Sequence, residues 1–209
     1  MTKYSAYIDT TILGNWVLYY KNRKAVDKAG KKVIESFQML QDIEKHVFTC
    51  VFVTSTWAMC ELASVILDNI LAEEMKKNEI SLTQFSSQKR IFKIEDENKI
   101  RLIVENLGDF RNFLKGLDIR IRSFEVDDDA VTDLLMKHTF LEAPDALHLS
   151  FVIRSCDVLV TLDERHFLDA KHKKQIQDAD GISVLRPCEL TKDFRKLPRS
   201  LTCKVTVKN

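Results

Sequence analysis

Apolar and polar positions along the chain switch repeatedly between a period of two and a period of three to four. Tyr4 to Ile8 reads as a first strand, ending at Asp9. The polar pair Thr10-Thr11 then leads into a mixed apolar segment, Ile12 to Tyr20, with the character of a short helix. A loop rich in Lys and Arg follows from Lys21 to Lys32. Helical spacing returns with Val33, Phe37, Leu40 and Ile43 and stops at His46. Val47 to Val53 is almost continuously apolar, as a strand buried on both faces requires, and reads as strand two. Thr54-Ser55-Thr56 offers capping hydroxyls to a helix that carries Ala58, Glu61, Leu62, Val65 and Ile66 and runs to about Lys77.

Ile80 to Glu97 has few periodic signals. Ile100, Ile103, Leu107, Phe110, Phe113, Leu114 and Leu117 then recur at helical spacing, which predicts a long helix ended by Gly116. Ile119 and Ile121 alternate with Arg120 and Arg122 in a third strand. Asp127, Asp128 and Asp129 open a helix through His138, where acids suit the macrodipole. The stretch PDALHLSFVIRSCDVLVTLD, Pro144 to Asp163, begins a helix at Asp145 whose face includes Leu149, Val152 and Cys156. It passes into a buried strand, Val158 to Val160, and ends at Asp163. Beyond it the pattern predicts a short helix over Glu164 to Ala170, a basic turn over Lys171 to Lys174, and a fifth strand over Ile182 to Leu185. The chain from Pro187 reads as a tail, with Thr202 to Val207 as a candidate edge strand. This order predicts one doubly wound α/β domain around a mainly parallel five-stranded sheet.

Composition narrows the classes. No apolar run approaches the roughly 20 residues that span a bilayer, and MTKYSAYIDTT has no signal-peptide core, so a cytoplasmic protein without a membrane partner is expected. The five cysteines form no CxxC pair, and three lie in apolar segments, the pattern of core thiols rather than a zinc site. A net charge of +1 neither requires nor excludes nucleic acid. There is no GxGxxG after strand one and no GxxxxGK[ST], which argues against the usual nucleotide-binding loops.

Four carboxylates then change the picture. Asp9 ends strand one, Glu61 sits inside the helix after strand two, Asp145 lies in the first turn of a helix, and Asp163 ends strand four. In a parallel sheet these positions share one edge, where ligands bind. Acids gathered there repel unless a cation neutralises them, and hard oxygen donors suit Mg2+ or Mn2+. Thr10, Thr11 and Thr161 carry hydroxyls able to orient a carboxylate, water or phosphate. The plain alternative for Asp9, Asp145 and Asp163 is helix capping, and for Glu61 a salt bridge with a Lys or Arg. Neither explains why all four map to one edge.

The segments YIDTTIL around Asp9, TSTWAMCELASVIL around Glu61, APDALHLSFVI around Asp145 and VLVTLDERHF around Asp163 together resemble the PIN domain family. That family comprises Mg2+- or Mn2+-dependent ribonucleases, including the toxins of many prokaryotic toxin–antitoxin pairs. The resemblance implies a three-layer α/β/α fold with a central, mainly parallel sheet, and an acidic pocket that cleaves RNA through metal-activated water. It assigns Asp9, Glu61, Asp145 and Asp163 as catalytic residues and as metal ligands or organisers of metal-bound water. The chain exceeds the usual family length, so residues 1–186 are expected to form the nuclease domain, with a helical insertion at about 80–117 and a tail over 187–209. Glu164 should face away from Asp163, and His166 is expected at the surface or facing phosphate rather than on a metal.

The partners that follow are RNA, an antitoxin protein, and a second copy of the chain meeting the apolar face of the helix from Glu97 to Lys115. Lys21, Arg23, Lys24, Lys89, Arg90 and Lys171 to Lys174 are candidate phosphate contacts, with a solvated charged face as the alternative for each. Trp16 and Tyr20 stay open between base stacking, the core and a dimer surface. Rival functions are a catalytically inactive PIN-like RNA-binding or scaffold protein, and a structure-specific DNA nuclease.

Overall fold

A computed structural model of the protein describes residues 4–28, 30–91 and 97–190. Five strands, β1 (Ser5–Ile8), β2 (Val51–Ser55), β3 (Arg120–Arg122), β4 (Val158–Val160) and β5 (Ser183–Leu185), form one sheet in the order β3-β2-β1-β4-β5. Every neighbouring pair is parallel. The helices are α1 (Thr10–Tyr19), α2 (Lys31–Glu44), α3 (Thr56–Lys77), α4 (Phe85–Ile91), α5 (Glu97–Gly116), α6 (Asp128–Lys137), α7 (Ala143–Ser155) and α8 (Ala170–Asp180).

Alternation along each strand divides the core into two layers. Ala6, Ile8, Phe52, Val158 and Val160 face one side, where α1, α2, α3 and α5 supply Trp16, Phe37, Leu62 and Phe110. Tyr7, Val53, Leu159 and Val184 face the other, against Leu134 of α6, Leu149 and Val152 of α7, and Ile176 of α8. This is a three-layer α/β/α sandwich. The connection from β1 leads to β2 on one flank, and the chain later returns to place β4 on the other flank. The strand order therefore reverses between β1 and β4, and the crevice beyond their carboxyl ends is the place where such sheets bind ligands.

Several elements depart from the periodic reading. Strand two spans Val51–Ser55, not Val47 to Val53. His46 takes a left-handed φ of 52° and Val47 N–H closes onto Asp42 O, so 47–50 are used in leaving α2. Pairing with β1 then begins at Ser5↔Val51. The predicted helix over 164–170 is a compact turn, and the predicted basic turn over 171–174 is instead the start of α8. Asp169 caps α8 by accepting Lys171 N–H and His172 N–H, and this offsets lysines placed where the helix dipole disfavours them.

In the stretch with few signals, Leu82–Gln84 forms a 3-10 turn before α4. Phe110 and Leu114 of α5 are fully buried, and Ile103, Leu107 and Phe113 pack on the same core, so much of this helix's apolar face is used within the chain. Trp16 is a core residue whose indole N–H donates to Ser36 O at 2.8 Å, and Tyr20 packs against Phe110 and Phe113. A 3-10 turn at Pro187–Glu189 is followed by buried Leu190, and the candidate strand Thr202 to Val207 lies outside the described residues.

Candidate metal centre

Asp9 follows the last residue of β1 and is the N-cap of α1, with Oδ1 accepting Thr10 N–H at 2.8 Å. Its other oxygen accepts two hydroxyls, Thr11 at 2.7 Å and Thr161 at 2.6 Å. Each hydroxyl has a second duty. Thr11 Oγ1 accepts Leu162 N–H and Thr161 Oγ1 accepts Asp163 N–H, both at 3.0 Å. The exits of β1 and β4 are thereby stitched together around a buried carboxylate. Buried charge of this kind persists only when it is hydrogen-bonded, and Asp9 is bonded on both oxygens.

Asp163 ends the segment after β4. Its Oδ1 accepts Arg165 N–H at 2.8 Å and His166 N–H at 3.2 Å, which fixes the turn and leaves Oδ2 to face His166 Nδ1 at 3.1 Å. From α7, Asp145 Oδ2 accepts Glu142 N–H at 3.1 Å and lies 3.0 Å from the same Nδ1. The donor atoms of Asp145, Asp163 and His166 all lie within 4.8 Å of one another, close enough to hold one metal ion. Burial raises the Asp145 carboxyl above its usual range, and the charges of Asp163 and Asp9 push the same way against the Glu142 N–H and His166. A divalent cation would relieve that crowding, so the residues fit a metal.

Glu61 approaches from α3 beside this group. Its Oε2 accepts the Thr10 hydroxyl and lies 2.7 Å from His148 Nε2, and that nitrogen is 3.8 Å from Asp9 Oδ1. Behind it, His148 Nδ1 lies 2.6 Å from the Tyr7 hydroxyl, which in turn meets Ser55 Oγ at 3.0 Å. Burial alone would lift Glu61 and depress His148. Their mutual hydrogen bond and charge reverse both effects, so Glu61 is held below its usual range and His148 above. Burial drives the Tyr7 hydroxyl well above its ordinary value and keeps it a neutral donor.

The four acids expected from the sequence therefore stand at one edge, in two linked groups. Asp145 and Asp163 close on each other with His166. Asp9 and Glu61 are outside that close trio, tied to threonines and His148. The capping reading also holds for Asp9 and Asp145, which accept backbone N–H groups at the starts of α1 and α7, whereas Asp163 accepts two N–H groups of a turn that is not a helix. Glu61 pairs with a histidine rather than a Lys or Arg. Thr10, Thr11 and Thr161 orient carboxylates, one of the roles open to them.

His166, expected at the surface or facing phosphate, has a side chain only 12% exposed and lies between two aspartates. His148 and Tyr7 were not singled out by the sequence. The available signal for His148 was its spacing of three from Asp145, which puts both on one face of α7. Glu164 does face away, pairing with Lys32 and Arg186. Several expected phosphate contacts are engaged with acids: Lys21 with Asp109, Arg23 in a two-toothed pair with Glu44, Lys89 with Asp68 and Lys173 with Glu189.

Among the described residues, no helix is long and apolar enough to cross a membrane. Comparison with known proteins finds no relative: no protein-family model, no curated protein and no solved structure matches this chain.

Proposed function

We propose that the chain is a metal-dependent endoribonuclease of the PIN type, hydrolysing RNA phosphodiester bonds. The observation that carries this reading is the convergence of Asp145, Asp163 and His166 within ligand distance at the switch-point edge, with Asp9 and Glu61 held beside them. Fold alone would not justify it, because doubly wound sheets host many chemistries. Asp145 and Asp163 would hold Mg2+ or Mn2+, with Asp9 and Glu61 completing the acidic pocket. When bound, such an ion supplies a more acidic water and neutralises charge on the phosphoryl oxygens.

The protein's own groups do the positioning. Thr11 and Thr161 fix the rotamer of Asp9 before substrate arrives, so no reorganisation is needed during reaction. Thr10 and His148 both meet Glu61 at Oε2 and hold its carboxylate beside the aspartates, where it would help to hold the cation. Arg165, largely exposed beside Glu142, stands where it can meet a substrate phosphate.

On this reading the nuclease unit covers residues 1–186, with 80–117 as a helical insertion and 187–209 as a tail. A cytoplasmic toxin role would add an antitoxin partner, testable by growth arrest on expression and rescue by a neighbouring small gene. The decisive assay is cleavage of a mixed pool of labelled RNAs with Mn2+, with Mg2+, with EDTA, and by Asp163→Asn. Metal-dependent cleavage absent from the variant is expected. RNA binding without cleavage, indifferent to EDTA and to the substitution, would falsify the enzyme reading and favour an inactive RNA-binding protein.

A further inference from the structure

His166 is placed as no surface histidine needs to be. Its Nδ1 lies 3.0 Å from Asp145 Oδ2 and 3.1 Å from Asp163 Oδ2. Around an octahedral ion with ligands at about 2.1 Å, adjacent donor atoms are about 3 Å apart, so both separations match one edge of such a shell. The ring's other nitrogen, Nε2, lies 3.6 Å from Glu142 Oε1. Nδ1 faces two carboxylates that either a proton or a cation can satisfy; a cation bound there would displace the proton and leave the ring protonated at Nε2, the side on which Glu142 lies. The orientation is also set by the backbone: His166 N–H donates to Asp163 Oδ1, and His166 O accepts His172 Nδ1–H at 3.0 Å. His172 is itself stacked on Phe140 with ring centroids 3.7 Å apart.

We propose that His166 is a nitrogen ligand of the metal site, through Nδ1, and that it makes the site select a first-row transition ion, such as Mn2+, over Mg2+. The inference rests on the metal-site reading above and specifies its cofactor class. Mg2+ is a hard ion that takes oxygen donors and keeps much of its water, so an imidazole in the shell gains it little. Imidazole is a better donor for transition ions, whose affinities at a mixed nitrogen and oxygen site exceed that of Mg2+. Asp145 and Asp163 alone would give no such bias.

The test uses the full chain, purified and stripped with EDTA, and needs no catalysis. Calorimetric titration with MnCl2 and with MgCl2 gives the ratio of affinities, and pulsed electron paramagnetic resonance of the Mn2+ complex reads directly bonded 14N. The native chain is expected to bind Mn2+ roughly tenfold or more tighter than Mg2+ and to show one coordinated imidazole nitrogen. His166→Asp, which keeps a ligand but makes the set all oxygen, is expected to lose the nitrogen signal and most of the bias. Mn2+ bound without nitrogen coupling in the native chain overturns the inference while leaving the acidic metal site intact. Coupling that persists in His166→Asp overturns it as well. If neither ion binds the native chain, this inference and the metal-dependent reading fall together.

Discussion

His148 Nε2 lies 2.7 Å from Glu61 Oε2 and joins helices α7 and α3 over the end of β1. The pair is the last link of a buried chain, Ser55–Tyr7–His148–Glu61, that leads from the interior of the sheet to the acidic edge. Glu61 needs a donor at Nε2, and Tyr7 occupies Nδ1, so the ring has little freedom to turn. Outer partners of this kind usually contribute 10–100-fold to affinity or activity at a metal site. His148→Gln is expected to reduce cleavage within about that range, and Tyr7→Phe to cause a smaller loss, while circular dichroism shows both variants folded. Unchanged rates in both would remove the chain from the mechanism.

Asp145 is crowded before any ion arrives, by burial first and then by the charges of Asp163 and Asp9. Without metal, Asp145→Asn should therefore cost little stability or even raise the melting temperature. With metal the order reverses. An ion at 100 times its dissociation constant stabilises the native chain by about 2.7 kcal/mol, a gain the variant should largely lose. Thermal melts with EDTA and with Mn2+ separate the two effects, and equal metal-induced shifts in both proteins would place the ion elsewhere.

Thr161 serves two acids at once, donating to Asp9 and accepting the Asp163 N–H. Thr161→Val keeps the shape but leaves the Asp163 N–H without this acceptor and removes one of the two hydroxyls on Asp9 Oδ2, at an expected cost of about 1–3 kcal/mol by urea denaturation. Thr161→Ser retains both bonds and should recover most of that loss. If serine is no better than valine, the hydroxyl is not what joins β1 to β4.

Away from the site, Arg186 grips Glu35 with Nε at 3.1 Å and Nη2 at 2.8 Å, tying the chain after β5 to α2. The Arg186 hydrogen bonds hold the Glu35 carboxyl below its usual range despite partial burial. A lowered folded-state value means that this contribution is present above the unfolded value of about 4.3 and disappears as pH falls through the folded value. Glu35→Gln should lose about 1–2 kcal/mol at pH 7 and much less at pH 3. A melting-temperature difference from the native chain that does not shrink on acidification would contradict this account.

The architecture was legible because burial leaves a period. β1 and β4 are short apolar runs, each ending in an acidic or Thr-Leu-Asp segment, and α5 carries its core residues at helical spacing. The four acids could be placed at one edge for the same reason, since parallel strands leave their exits together. Boundaries set by single hydrogen bonds were less visible. The end of α2 depends on the left-handed turn at His46, and the start of α8 on the Asp169 cap, and neither feature has a hydrophobic signature.

Local periodicity and strand direction were enough for the class of fold, the order of its elements and a shared edge for the four carboxylates. How those acids pair off depends on contacts between parts of the chain that lie far apart. Asp145 and Asp163 are 18 residues apart in the chain and Glu61 and His148 are 87 apart, and their contacts depend on how α7 and α3 close over β1. His166 shows the limit most clearly. A histidine three residues after an aspartate can point to solvent or into the site, and the folded turn at Asp163, braced by His172, turns its Nδ1 inward.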